Sequence, residues 1–332
     1  MSKYILLFLL YLSATIVAQK TDISNKLTGP YLGQKPPGAV AELFAPGIIS
    51  KGQQEVCISF TPDGKEVYYT LGGLPYSVIL YMKEFNGKWT QPKVAPFSGR
   101  YSSECQLSPA GNQMFFCSGI PLTGTGEPKG NWDIWVVEKA DGKWNNAERL
   151  PSPIASEEYS ADCPSVAANG NLYFYSANIP GGFGKGDIYS SKFIDGKYSE
   201  PENLGNNINT ENYDIDPFIA SDESYIIFSS NKPGGSGMND LYISYRKDDG
   251  SWTEAVNMGE LINSDAHEIH PFVTRDGKYL FFCSTRRSSY DRYSETPITY
   301  EEKMEWLNKP GNGFEDIYWV DAKIIEELRA KQ

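Results

Sequence analysis

A hairpin pattern that recurs five times is the feature of this 332-residue chain that most limits its fold. Each copy holds an alternating strand, a two-residue turn and a second alternating strand, as in ISFTPDGKEVYYTL and PFVTRDGKYLFFCS. The turns fall at Asp63, Ala110, Asn169, Asp222 and Asp276. They are 47 to 59 residues apart, and a regular period of this size with paired strands in every unit predicts a β-propeller or array.

Each unit continues with a third strand such as DIWVVEKA, an aromatic turn such as DGKW, and a fourth strand, which together make one propeller blade. The fifth unit lacks a fourth strand and ends in KIIEELRAKQ, which we predict to be helical. The segment Ala39–Ser50 precedes the first unit and matches the missing strand in type. We therefore predict an all-β fold, a five-bladed β-propeller of four-stranded antiparallel blades, in which this N-terminal strand closes the ring.

The N-terminus has the features of a secretory signal peptide. Lys3 precedes an apolar run, Tyr4–Val17, and Ile16 and Ala18 are compatible with a cleavage site before Gln19. We expect residues 1–18 to be a signal peptide, residues 19–38 a linker and residues 39–332 a single propeller domain. No cysteine follows the cleavage site and no other stretch has the length of a spanning helix, so we expect a periplasmic or secreted protein without a lipid anchor.

Charge and cysteine usage narrow the class of ligand. The net charge of −12 argues against a nucleic-acid partner, and any polyanionic ligand would need local positive charge. The five cysteines follow no spacing typical of a zinc site. We expect buried thiols in strands, with Cys105 and Cys117 placed to face each other across a hairpin as the alternative.

The first strands of the blades point to one mouth of the propeller. Their starts share the end of the central channel with the irregular loops, opposite the short turns at Asp63, Asp222 and Asp276. Four of these starts begin with Tyr101, Tyr159, Tyr213 and His267, and three residues later come Glu104, Asp162, Asp216 and His270. We expect these side chains to converge, which would bring together both histidines of the chain.

The roles of these residues follow from their chemistry. His267 and His270 are candidate bases or metal ligands, and Tyr213 and Tyr159 are candidate acids. The candidate substrate-binding residues of the mouth are Tyr101, Glu104, Asp162, Asp216 and Glu268. The alternatives are hydrogen bonds between blades for the acids and histidines, and packing for the tyrosines.

The long loop of the fifth blade concentrates positive charge in an acidic protein. Arg286, Arg287 and Arg292 lie within seven residues, in the run STRRSSYDRYSE. A guanidinium fork binds carboxylate or sulfate well, so these residues are candidate substrate-binding groups; a solvated loop with local salt bridges is the alternative. A helix is predicted at Thr299–Lys309, later in the same loop.

Parts of the sequence resemble two known types of β-propeller. TPDGKEVYYT, RDGKYLFFCSTR and IIFSSNKPGG resemble the WD-like repeats of TolB-type propellers over nearly all of the mature chain, which implies the fold but not the function. The HEIHP strand entry is similar to oligogalacturonate-lyase-type propellers, which carry metal-binding histidines on this kind of fold. That second resemblance implies a divalent metal ion as a candidate cofactor, and no other cofactor is expected.

Three functions remain open at this point. An enzyme that acts by elimination on uronic-acid-containing oligosaccharides, as a lyase or dehydratase, needs a base, an acid and a group that neutralises the sugar carboxylate. A glycoside hydrolase needs two of the carboxylates Glu104, Asp162 and Asp216. A non-catalytic propeller of the cell envelope would only bind a glycan or protein. We favour elimination, with an acidic oligosaccharide as the partner.

Overall fold

The computed structural model describes residues 27–73, 76–119, 131–288 and 297–331. The predicted signal peptide and Arg292 lie outside these ranges. Within the ranges, no helix has both the length and the apolar character that a membrane span requires.

The chain enters the ring through a 3₁₀ turn at Tyr31–Gly33 and the short strand β1 (Glu42–Leu43). The first blade contains β2 (Glu55–Phe60), β3 (Glu66–Leu71), β4 (Val78–Phe85), β5 (Lys88–Trp89) and β6 (Lys93–Val94). The second contains β7 (Ser102–Leu107), β8 (Gln113–Ser118), β9 (Asp133–Ala140), β10 (Lys143–Trp144) and β11 (Glu148–Arg149). In both blades two short strands share the outermost position, because both pair with the third strand.

The other three blades follow the same antiparallel order. The third contains β12 (Asp162–Val166), β13 (Leu172–Ser176), β14 (Asp187–Ser191), the small hairpin β15 (Phe193–Ile194) and β16 (Lys197–Tyr198), and β17 (Glu202–Asn203). The fourth contains β18 (Asp214–Ile219), β19 (Tyr225–Ser230), β20 (Asp240–Tyr245) and β21 (Val256–Asn257). The fifth contains β22 (Glu268–Val273), β23 (Tyr279–Ser284) and β24 (Asp316–Asp321).

The N-terminal strand closes the ring as predicted. β1 pairs antiparallel with β24, and the Phe44 backbone N–H then donates to the Ile317 carbonyl oxygen at 2.8 Å. Only two residues of the predicted segment are strand, since the chain turns away at Ala45, whose φ is 47°. Phe44 is fully buried, and its ring meets those of Phe60, Phe281 and Trp319 at centroid distances of 5.0–5.9 Å. The five-bladed all-β fold is therefore confirmed, with the N-terminal strand joining the last blade to the first.

Two helices complete the described chain. The predicted helix in the long loop is α1 (Tyr300–Leu307), which begins with a capping box between Thr299 and Glu302. The predicted helical tail is α2 (Lys323–Arg329). Both predictions are confirmed. α1 is shorter than the predicted range because Thr299 is its N-cap and Asn308 its C-cap.

Every inner strand carries a β-bulge at the same position, and this bulge determines what faces the central channel. The five bulge residues have φ between 51° and 55°, a region that residues other than glycine seldom adopt. Because a bulge interrupts the alternation of a strand, it re-aims the side chain at that point. We call these residues the channel ring: Cys57, Glu104, Cys163, Asp216 and His270.

The bulges correct one expectation from the sequence. In the third blade the ring residue is Cys163, whereas Asp162 was predicted by counting three residues from Tyr159. The entry of that strand is one residue longer than in the second, fourth and fifth blades. A proline follows the ring residue in the last three blades, so Pro164 is the sequence signal that gives the right alignment.

The cysteines are largely as expected from the sequence. All five are free thiols, and all but Cys163 are buried. Cys105 and Cys117 do not face each other, because the register of the second blade places Cys117 opposite Ser103.

Candidate functional site

The channel ring forms a chain of close polar contacts that crosses from the second blade to the fifth. The Cys163 thiol donates to Asp216 Oδ1 at 2.8 Å and to Glu104 Oε2 at 3.3 Å. Asp216 Oδ1 in turn lies 3.4 Å from Nδ1 of His270. All five ring residues line a cavity of about 10 Å³, which has room for a single water molecule or ion.

Asp162 and Tyr175 distinguish the third blade from the others. Oδ2 of Asp162 accepts from the Ser160 hydroxyl at 3.0 Å, and Oδ1 is buried with no hydrogen-bond partner among the described residues. Burial, followed by the charge of Glu104, raises the pKa of Asp162 well above its usual range. This carboxyl therefore holds its proton at a pH where an ordinary aspartate is ionised.

Tyr175 is a site residue that the sequence reading missed. It occupies the position on β13 where the other four blades have small residues, namely Thr70, Cys117, Ser229 and Cys283. A β-carbon on Gly186 would meet the Tyr175 ring at 2.4 Å, so this glycine makes room for the ring. Burial, followed by the charges of Cys163 and Asp162, raises the pKa of Tyr175. In an alignment of the five repeats, a large residue at a position that is small in the other four would have identified Tyr175.

A second set of residues lies at the entrance of the channel. We call this set the rim; it holds the residues three positions before each ring residue, Gln54, Tyr101, Ser160, Tyr213 and His267. Tyr213 is 40% exposed, and the exposed Lys185 places its Nζ 5.8 Å from the centre of the Tyr213 ring. Tyr101 packs edge-on against Tyr76, whose other neighbour is the Arg100 guanidinium at 5.0 Å. The rim thus presents aromatic faces and positive charge, a combination suited to acidic sugars.

His267 is the titratable base of the rim. Its strand entry is held by a parallel bridge to Asn239 and by the Thr285 N–H, which donates to its carbonyl oxygen at 3.2 Å. The side chain is half-buried. Burial lowers the pKa of His267 below its ordinary value of 6.5, although the Asp216 carboxylate acts in the opposite direction. The imidazole is therefore neutral at pH 7 and able to accept a proton.

Tyr159 does not join the rim. The one-residue difference in the third blade gives Ser160 the position that Tyr159 was predicted to hold. The Tyr159 hydroxyl donates instead to the Pro153 carbonyl oxygen of the preceding loop. Its contacts are those of a residue that packs a loop, which was the alternative from the sequence.

Arg286 and Glu268 form a salt bridge below the rim. Glu268 is fully buried, and its Oε1 accepts from Arg286 Nη2 at 3.1 Å and from the Ser284 hydroxyl at 2.6 Å. The Arg286 guanidinium also lies over the rings of Phe282 and Tyr318, at 5.3 and 4.7 Å. These contacts fit a structural role for both residues, and their predicted contact with substrate stays a prediction. Arg287, the next residue, is exposed.

Glu55 in the first blade is equivalent in position to Glu268 in the fifth. Among the described residues, no arginine pairs with Glu55 as Arg286 pairs with Glu268. Its side chain is 1% exposed, and Oε2 accepts from the Lys51 N–H at 3.3 Å. Burial, partly offset by that hydrogen bond and reinforced by the charge of Asp316, raises the pKa of Glu55 to about 7.

Glu55 should make stability fall as the pH rises from about 4.5 to about 7. Over this range the unfolded carboxyl loses its proton while the folded one keeps it, so the folded state loses up to about 3 kcal/mol of relative stability. The Glu55→Gln variant should lack this part of the slope in urea unfolding measured across the range. Glu42→Gln, at an exposed position of β1, is the control, and equal slopes in the two variants would refute the assignment.

The opposite end of the channel is closed. Arg275 reaches across it from the fifth blade and donates to the Leu107 carbonyl oxygen at 2.6 Å. Its guanidinium lies about 6 Å from the rings of Phe218 and Phe272, and burial lowers its pKa to about 10. The turn at Asp276 lies at this same end, where the hairpin of β22 and β23 reverses. Among the described residues, Arg275 therefore covers the channel at the end opposite the rim.

A larger groove of about 450 Å³ lies between the third and fourth blades. Its main polar groups are satisfied by one another. Tyr173 donates to Glu223 at 2.6 Å, Arg246 donates to Tyr173 at 3.1 Å, and the Arg246 guanidinium lies over Trp252. We place the candidate site at the rim and ring, where titratable groups converge with unsatisfied bonding capacity.

Comparison with known proteins gives similarity at the level of the fold. No family model matches the chain, and no curated protein matches its sequence. Among solved structures, TolB from Acinetobacter baumannii is similar with a TM-score of 0.47 and 14% identity, over 81% of this chain and 57% of that one. An α-L-arabinofuranosidase from Lactobacillus brevis gives 0.49 and 13%, over 82% and 91% of the two chains.

An oligogalacturonate lyase from Vibrio parahaemolyticus is also similar, with a TM-score of 0.40 and 13% identity over 74% of this chain and 65% of that one. The structural neighbours of this chain thus include both kinds of propeller that its sequence resembles. At these identities the likeness concerns the propeller fold alone.

Proposed function

We propose that this protein is an exported carbohydrate-active enzyme that cleaves or dehydrates uronic-acid-containing oligosaccharides by elimination at the rim. The observation that carries the proposal is the half-buried His267, whose lowered pKa leaves a neutral imidazole at the rim of the channel. The apolar N-terminal residues, predicted to be a signal peptide, support export.

His267 and Tyr213 of the rim, together with the exposed Arg287 of the loop after β23, fit the parts that elimination needs. His267 removes the proton from the carbon next to the sugar carboxylate, and the electrons of that bond form the carbon–carbon double bond. Arg287 pairs with the carboxylate and stabilises the negative charge that develops there. Tyr213 donates a proton to the leaving oxygen, and Lys185 lies over its ring. The aromatic pair Tyr76 and Tyr101 provides a surface for a sugar ring.

Hydrolysis is the second candidate, and Asp162 favours it. A carboxyl with a raised pKa beside a second carboxylate is the pattern of an acid and its partner in glycoside hydrolases. The second carboxylate is that of Glu104. Both carboxyl groups lie below the rim, however, and the cavity that Glu104 lines is too small for a sugar ring. We therefore rank hydrolysis below elimination.

A panel of uronic-acid oligosaccharides tests the proposal. The purified protein should produce a new ultraviolet absorbance, because elimination beside a carboxylate leaves an unsaturated uronate. Neutral oligosaccharides of the same length should give no signal. New reducing ends without absorbance would indicate hydrolysis, and binding without any product would indicate the non-catalytic propeller; either result would reject elimination.

The rate of this reaction should depend on pH through His267. A base must be unprotonated to act, so kcat/KM should fall as the pH drops through the lowered pKa of this residue, with an inflection below 6.5. The charged groups that face it are Asp216, Glu268, His270 and Glu315. The inflection should vanish in His267→Gln when residual turnover is followed over the same range. An inflection that persists in this variant would assign the base elsewhere.

A further inference from the structure

We propose that the channel ring is a binding site for one zinc-class transition-metal ion, held by Cys163, Asp216 and His270 with Glu104 as the fourth ligand. This inference is independent of the reaction at the rim. It rests on the positions of three donor atoms from three blades and on the carboxylate of a fourth blade that contacts one of them.

The donor atoms of three of these residues are close enough for one ion to reach them. The potential ligand atoms of Cys163, Asp216 and His270 lie within 4.8 Å of one another. Glu104 Oε2 lies 3.3 Å from the Cys163 sulfur. Zinc bonds of about 2.0–2.3 Å in a tetrahedral arrangement hold donor atoms roughly 3.3–3.8 Å apart. The observed contacts of 2.8 and 3.4 Å to Asp216 Oδ1 therefore need to open by less than about 1 Å.

The surroundings also favour a cation. The cavity between the ring residues has a volume of about 10 Å³, and Asp216 is only 5% exposed. Among the described residues, the ion pairs found give Glu104 no cationic partner. Directly beside the ring, Oδ1 of the Asp162 carboxyl is buried without a hydrogen-bond partner in the part of the chain that the structure describes. A carboxylate that is removed from water without a cationic partner is stabilised by a bound metal ion.

The chemistry of the donors selects the class of ion. One thiolate, one imidazole and two carboxylates form a set typical of zinc and of neighbouring transition metals, whereas calcium and magnesium prefer oxygen ligands alone. Binding displaces the thiol proton of Cys163 and breaks its hydrogen bonds to the two carboxylates. Because the ligands come from the second, third, fourth and fifth blades, the ion would join these blades across the channel.

Metal titration with Zn²⁺ and Co²⁺ alone tests the site. The reduced wild-type protein should bind one equivalent, and the cobalt form should show visible bands of tetrahedral geometry together with an ultraviolet sulfur-to-cobalt band. Cys163→Ser should lose the sulfur band and at least 10- to 100-fold in affinity, the loss typical of weaker changes around metal sites. Cys283→Ser is the matched control, since Cys283 is a fully buried thiol outside the donor set.

Two outcomes would overturn the proposal. One is a wild-type protein that binds less than one equivalent or gives a cobalt spectrum without a sulfur band. The other is equal metal affinity in Cys163→Ser and Cys283→Ser. If Cys163→Ser fails to fold, the wild-type cobalt spectrum decides alone, because it reports directly whether sulfur is a ligand. Neither readout depends on enzymatic activity, so failure here leaves the reaction at the rim unaffected.

Discussion

Replacing His267 with alanine should lower kcat on an acidic oligosaccharide by about 100- to 10,000-fold, the usual loss when a general base is removed. The melting temperature should change little, because the side chain is only half-buried and its strand entry is held by backbone bonds to Asn239 and Thr285. The measurement is kcat and KM beside thermal unfolding for the same preparations.

The control for this variant is Phe85→Ala, which removes a ring that is 64% exposed at the far end of β4. It should retain wild-type turnover and stability. If His267→Ala melts early yet turns over normally per folded molecule, the histidine is structural and the mechanism at the rim is wrong. The carboxylates below the rim would then be the next candidates.

Phe44→Ala should lower the free energy of unfolding by about 3–5 kcal/mol, the usual cost of deleting a buried aromatic ring. Phe44 is fully buried between the first and last blades, where it contacts three aromatic rings. Its loss should weaken the closure of the ring as well as leave a cavity. The measurement is urea unfolding at equilibrium.

Val40→Ala is the matched control in the same N-terminal segment, since Val40 is 59% exposed. It should change the free energy of unfolding by less than about 0.5 kcal/mol. Equal stability of the two variants would mean that the N-terminal strand does not contribute to closure in solution.

The fold could be predicted from the sequence because its signals are local. Each hairpin carries its own alternation and turn residues, and the missing fourth strand of the last unit requires a partner such as Glu42–Leu43. Some residues of the rim could be predicted for the same reason. Strand polarity places Tyr101, Tyr213 and His267 at equivalent positions of three blades.

The rest depends on contacts between residues far apart in the chain. Cys163 meets Asp216 across 53 residues, so no metal-binding spacing is visible in the sequence. The strand entry after Tyr159 has one extra residue, and the sequence does not show where the β-bulge falls. The ring residue of the third blade therefore could not be predicted. The pairing of Arg286 with Glu268 depends on how the loop folds back over β22, which charge composition alone does not fix.

The masses of the products on a cleavable acidic oligosaccharide test the central claim most directly. Elimination splits the chain without adding water, so the masses of the two fragments should sum to that of the substrate, and one fragment should show the ultraviolet absorbance of an unsaturated uronate. We predict this result for the wild-type protein and its near-complete loss in His267→Ala. Fragments that together exceed the substrate by the mass of one water would show hydrolysis and contradict the account.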